Sequence, residues 1–222
     1  MYAERAAQLP HVVAWRTRVP PGAEVSRILP DGCLDLIWHD GTVFIAGPDT
    51  TAQLGTAPPG SRFFGLRFAV GTGPGVLGVP ADEFTDRQVP LDAVLPAAEV
   101  RRLAGATDDP TAALEELARR RWREPDRVMV AVAAGARAGR PVGVIADRCG
   151  LSPRQLHRRC LSTFGYGPKT LARILRLQTA VALARRGRPF AEVGSTAGYA
   201  DQAHLSREVK ALAGVPLRAL VG

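Results

Sequence analysis

Val142 to Leu161 reads VGVIADRCGLSPRQLHRRCL, and its pattern returns at Pro189 to Val215 as PFAEVGSTAGYADQAHLSREVKALAGV. Each copy has a short apolar run, a glycine, a capping residue and a second run with a 3.6-residue period. In the first copy Gly150 suits the positive φ that ends one helix, Ser152 can cap the next, and Pro153 fits its first turn. Leu156 and Cys160 then share one face, which leaves Arg154, His157, Arg158 and Arg159 on the other. In the second copy Gly198 is the turn, Asp201 the cap, and Leu205 with Val209 the buried seam, so Gln202, His204 and Arg207 project outward. Both copies predict a helix-turn-helix unit. Between them, from Pro168 to Arg186, a stripe of Leu171, Ile174, Leu175, Gln178, Val181 and Ala182 predicts one continuous spacer helix.

The charge of the chain follows this division. Residues 137–222 hold 15 Lys and Arg against 4 Asp and Glu, a net of +11, whereas the preceding 136 residues sum to −3. Cations spread over one face displace counterions from a phosphate backbone. Charge alone does not name the polyanion, because an arginine-biased composition also yields arginine-rich surfaces.

The segment GYADQAHLSREVKALAGVPLRAL resembles the C-terminal signature of the AraC/XylS family of transcription regulators, and GLSPRQLHRRCLSTFGYGP is similar to the matching segment of the family's first unit. The resemblance covers roughly residues 128 to 220. It implies two helix-turn-helix motifs joined by a long helix, with Arg154, His157 and Arg158 at base-contacting positions of the first recognition helix. Gln202, Ala203, His204 and Arg207 fall on the second. The expected DNA-binding set is Ser152, Arg154, His157, Arg158, Gln202, His204 and Arg207. The chemistry suits the assignment: Arg pairs bidentately with guanine and Gln with adenine, each good pair worth about 1–3 kcal/mol of discrimination. The chain departs from the family pattern at Leu205 and Val209, where an aromatic is usual. Gly194 and Ser195 cost helix propensity, and Ala203 cannot hydrogen-bond a base edge, so the second unit is expected to be less stable or to read fewer bases.

The first ~95 residues are dense in Gly and Pro and carry strand-length apolar runs, which predicts β structure of sandwich or half-barrel type. Candidate strands are Val12 to Val19, Val25 to Leu29, Leu34 to Trp38, Val43 to Ala46 and Arg62 to Phe68, with Asp40-Gly41 the strongest hairpin signal. RILPDGCLDLIWHDGTVFIAGPDT resembles the small β domain, of poorly characterised role, of one group of AraC-type regulators; the resemblance implies ligand sensing or dimerisation and names no ligand. Cys33, Asp35, Trp38, Phe63 and Arg67 are the candidate ligand-binding residues, with Phe64 beside them. The opposing reading is that Trp38 and the Phe pair are core and that Arg67 faces water. From Leu91 the period becomes helical; Thr111 is the expected cap of a helix carrying Ala112, Leu114, Leu117 and Ala118, ended by Pro125.

The expected architecture is thus α+β: a β-rich domain over 1–95, a helical connector over 96–124 and an all-α double helix-turn-helix domain over 125–222. In 222 residues, 46% of them hydrophobic, a folded chain is expected, and the absence of a long apolar run or signal pattern predicts a cytoplasmic location without a membrane partner. Cys33, Cys149 and Cys160 have no Cys-x-x-Cys spacing, and no phosphate loop, nucleophile elbow or paired-His motif occurs. Neither an enzyme nor a cofactor or metal site is therefore expected. Expected partners are double-stranded DNA, a small-molecule effector and RNA polymerase, with the chain a monomer or homodimer. A ligand-independent architectural DNA binder is the main rival, and a DNA-repair adaptor a distant one, since Cys33 stands without the four-cysteine cluster such acceptors use.

Overall fold

The computed structural model describes residues 2–22 and 25–221. Among the described residues eight strands lie within the first 90 positions: β1 (Tyr2–Ala6), β2 (Val12–Arg18), β3 (Ser26–Ile28), β4 (Leu34–His39), β5 (Thr42–Ala46), β6 (Gln53–Gly55), β7 (Arg62–Phe68) and β8 (Gln88–Pro90). Six form one antiparallel sheet in the order β1-β2-β7-β4-β5-β8, and β3 pairs with β6 in a separate ribbon. At the tip of the β4–β5 hairpin Asp40 and Gly41 both take positive φ, 45° and 79°, the twist that lets a two-residue turn join right-twisted strands. β1, β6 and β8 escape a reading by apolar runs, since their residues are mostly exposed.

Leu34, Leu36 and Trp38 of β4 point to one face of the sheet, together with Val12 and Ala14 of β2, Leu66 and Phe68 of β7 and Val43 and Ile45 of β5. Three helices close that face: α1 (Gly73–Leu77), α2 (Ala97–Ala104) and α3 (Pro110–Arg121). The stretch expected as a connector over 96–124 contributes Val100, Leu103, Leu114 and Leu117 to this core. The cap of α3 is Asp109, which accepts the Ala112 N–H at 2.9 Å, and not Thr111; Pro110 occupies the first turn, where its missing N–H costs nothing. α3 ends when Trp122 leaves helical conformation, before Pro125 is reached.

Six helices complete the chain: α4 (Arg127–Arg137), α5 (Val142–Arg148), α6 (Pro153–Phe164), α7 (Pro168–Arg185), α8 (Phe190–Thr196) and α9 (Gln202–Ala213). The 18-residue α7, about 27 Å long, serves two cores. Its first half gives Leu171, Ile174 and Leu175 to a cluster with α4, α5 and α6, and its second half gives Leu177, Ala180 and Val181 to a cluster with α8 and α9.

Candidate nucleic-acid interface

Ser152 and Gln155 form a reciprocal box at the start of α6: the Ser152 side chain accepts the Gln155 N–H, and the Gln155 side chain accepts the Ser152 N–H. Gly150 sits at φ 62° in the turn. Leu156 and Cys160 are buried, and Arg154, His157 and Arg158 lie on the exposed side. Arg159, read from sequence as outward-facing, is half-buried and bonded to Asp126, the N-cap of α4. The His157 ring lies so near Gly167 that a Cβ there would stand 2.9 Å from its Nε2.

The second unit repeats this construction. Asp201 accepts the His204 N–H at 2.6 Å, Gly198 takes φ 83°, and Leu205 and Val209 are buried. α8 forms despite Gly194 and Ser195, with Gly194 packed beside Leu205 where a Cβ would make only ordinary contact at 3.7 Å. Gln202, Ala203 and Arg207 are exposed. His204 needs correction as an outward residue: it is half-buried, its Nδ1 accepts the Ala200 N–H at 3.2 Å, and its ring packs edge-on against Tyr199. Its ring thus closes the turn, which leaves it less free to reach a base. The spacer helix is pinned to α9 by Arg173, whose guanidinium makes two hydrogen bonds to Glu208.

Among the candidate ligand residues, cross-strand register decides which share a face. Asp35 pairs with Arg67, Ile37 with Gly65 and His39 with Phe63, all on the side of the sheet away from the main core. Trp38 pairs with Phe64 on the core side, is 2% exposed, and donates its indole N–H to the Ala104 carbonyl; it is a core residue and not a wall for ligand. On the outer face Trp15 lies flat over Gly65, where a Cβ would meet its ring at 2.3 Å, and donates to Asp35 at 2.6 Å. His39 stacks on Phe63 at 4.1 Å. Arg67 donates to Asp35 and stands 3.7 Å from Asp31, so this half-buried guanidinium is already claimed by two carboxylates and does not stand ready for an anion alone. Burial holds the Asp35 carboxyl up at about 6, against the opposing pull of Arg67. Burial also raises the Cys33 thiol, helped by Asp31 and Asp35, so a thiolate is disfavoured there.

Sequence reasoning missed the seam between the two parts. Thr85 donates to the carbonyl of Gly165, the C-cap of α6; Gln178 of α7 donates to Pro30 O; Ala52 N and Arg27 donate to Leu212 O and Ala213 O at the end of α9. The β domain therefore satisfies carbonyls left open at the C-termini of both recognition helices. These partners lie 80 to 186 positions apart, beyond any local pattern.

Two family profiles match separate stretches of the chain. A family profile described as a helix-turn-helix domain matches residues 145–221, and one described as a domain of unknown function (DUF6597) matches residues 7–90. Residues 145–221 thus form an AraC-type helix-turn-helix domain, that of a DNA-binding transcription regulator. The chain has the fold of ToxT from Vibrio cholerae. It overlays an apo ToxT variant with a TM-score of 0.51 at 10% identity, covering 97% of this chain and 98% of that one. A second ToxT structure gives 0.51 at 9% identity, covering 96% and 99%. A third, ToxT bound to (E)-4-(8-methylnaphthalen-1-yl)but-3-enoic acid, gives 0.50 at 10%, covering 94% and 97%. No curated protein matches the chain. Among its described residues no helix is long and apolar enough to cross a membrane.

Proposed function

We propose that α6 and α9 enter successive major grooves of double-stranded DNA and read it mainly through Arg154, Arg158, Gln202 and Arg207, with Ser152 and His157 of α6 near the backbone and His204 bracing its own turn. The observation that carries this reading is the shared construction of the two helices: each is capped by a side chain, buried along one seam, and exposed along the face bearing these residues. Two readers in one monomer call for a direct, non-palindromic site with half-sites about 34 Å apart. Selection of bound fragments from genomic DNA with purified protein tests it; recovered sites without a common bipartite sequence would refute it.

The β domain acts, in this reading, as a small-molecule sensor whose occupancy alters DNA binding in the cytoplasm, with RNA polymerase the protein contacted at the promoter. Support comes from the outer sheet face, where Trp15 covers the Asp35–Arg67 pair and the His39–Phe63 stack lies four residues further along the same two strands, a mixture of aromatic wall and few polar groups suited to a ligand. A ligand that binds the folded state raises its melting temperature by mass action. A small-molecule panel that leaves both melting temperature and DNA affinity unchanged would favour an architectural binder instead. Whether one copy or two occupies the operator is read from the stoichiometry of the same complex.

A further inference from the structure

The seam gathers more carboxylates than the one guanidinium beside them offsets. Asp31, Asp35, Asp49 and Asp86 act electrostatically on one another or on the side chains between them, and Arg67 is the guanidinium that answers them from the sheet. Asp31 is occupied on one oxygen by the Cys33 N–H, and Asp86 by the Thr50 N–H and hydroxyl, both at 2.7 Å. For Asp49, burial and then the charges of Asp86, Asp31 and Asp35 raise the carboxyl to about 7. Facing these groups is Tyr166, in the turn between α6 and α7. It is 5% exposed, and its hydroxyl has no hydrogen-bond partner although it lies against the Asp31–Gly32–Cys33 turn, where a Cβ on Gly32 would stand 3.3 Å away. Burial and the surrounding carboxylates raise this phenol, so it stays a neutral hydroxyl. A buried hydroxyl left unpaired is unfavourable until a hydrogen-bonding partner completes it, and beside several carboxylates a cation with N–H donors answers both needs.

We propose that the seam formed by the Asp31–Cys33 turn, Asp49 and Tyr166 binds a small organic ammonium ion, the carboxylates supplying counter-charge and the Tyr166 hydroxyl accepting a hydrogen bond. A metal ion is disfavoured, since no three His, Cys, Asp or Glu side chains converge to hold one among the described residues. Because Tyr166 follows the C-cap of the first recognition helix, an ion held there bonds the β domain to α6 directly. The inference deepens the sensor reading and rests on it.

The test uses the full chain with n-butylammonium chloride as probe, sodium butyrate, magnesium chloride and potassium chloride as comparators at equal ionic strength, and melting temperature at pH 7.5 as readout. Butylammonium is expected to raise the melting temperature of the parent protein, with affinity falling about tenfold or more in Asp49→Asn and about threefold to tenfold in Tyr166→Phe. Asp49→Asn removes repulsion, so without probe it should melt no lower than the parent, which separates lost binding from lost folding. No response to butylammonium beyond that to potassium, or an equal response in Asp49→Asn, overturns the proposal. A magnesium response abolished by Asp49→Asn overturns it in favour of a metal. A response to butyrate alone overturns it while leaving the sensor reading standing.

Discussion

The hydroxyl of Thr85, in the β domain, donates at 2.8 Å to the carbonyl of Gly165, the residue that ends the first recognition helix. Gly165 takes φ 83°, and a Cβ there would meet Thr85 Oγ1 at 2.5 Å and Pro48 at 2.7 Å, so the two chain segments are in close contact at this point. Thr85→Val keeps the side-chain volume and removes the donor. It should cost about 1 kcal/mol of stability, measured by denaturant unfolding. An unchanged midpoint would mean that water replaces the bond without loss.

Deletion of residues 1 to 124 tests the same seam at larger scale. The fragment should still shift DNA at low salt, because both helix-turn-helix cores are formed by residues of α4 to α9. It should be less stable than the full chain and lose discrimination between operator and random DNA, since Leu29, Val70, Arg27 and Ala52 no longer cover α6, α7 and α9. Failure to shift any DNA would show that the helices cannot stand alone.

For base reading, Arg158→Ala and Arg207→Ala should each relax preference at one operator position by about 1–3 kcal/mol while weakening random DNA little. Equal weakening on every sequence would assign that arginine to phosphate. Ser152→Ala removes half of the capping box and should cost about 1 kcal/mol of stability, visible as a lower unfolding midpoint.

Stability should fall as pH rises from about 4 to 7. Asp35 and Asp49 have folded-state carboxyls raised to about 6 and about 7. The folded chain therefore binds more protons than the unfolded one across this window, and the cost of ionising buried carboxylates is complete only above it. Unfolding free energy measured at intervals between pH 5 and 8 should decline, and Asp49→Asn should flatten the upper part of the curve. A rise across this interval would refute the assignment.

Gly65→Ala probes the outer sheet face. The added methyl would sit 2.3 Å from the Trp15 ring, so Trp15 must swing away and release Asp35. A loss of about 1–3 kcal/mol is expected, with a change in tryptophan fluorescence reporting the movement.

What the sequence determined alone is local. Ser152 and Asp201 as caps, Gly150 and Gly198 as turns, the spacer from Pro168, the Asp40-Gly41 hairpin and the exposed arginines of α6 all follow from interactions spanning a few residues, where spacing and side-chain chemistry leave little choice. What the tertiary structure decided is wherever two distant segments meet. Asp109 displaced Thr111 as a cap, and His204 was drawn onto Tyr199, by short-range choices among neighbours, but Trp38 joined the core and Arg67 was claimed by Asp35 through pairings between strands. Burial of β1, β6 and β8 is too slight to mark them; β1 is held by a local hairpin with β2, and the pairing of β6 and β8 comes from backbone groups of partners far away in the chain. The seam of Asp31, Asp49, Thr85 and Tyr166 is the extreme case, since its charge balance exists only once the β domain is closed onto the recognition helices.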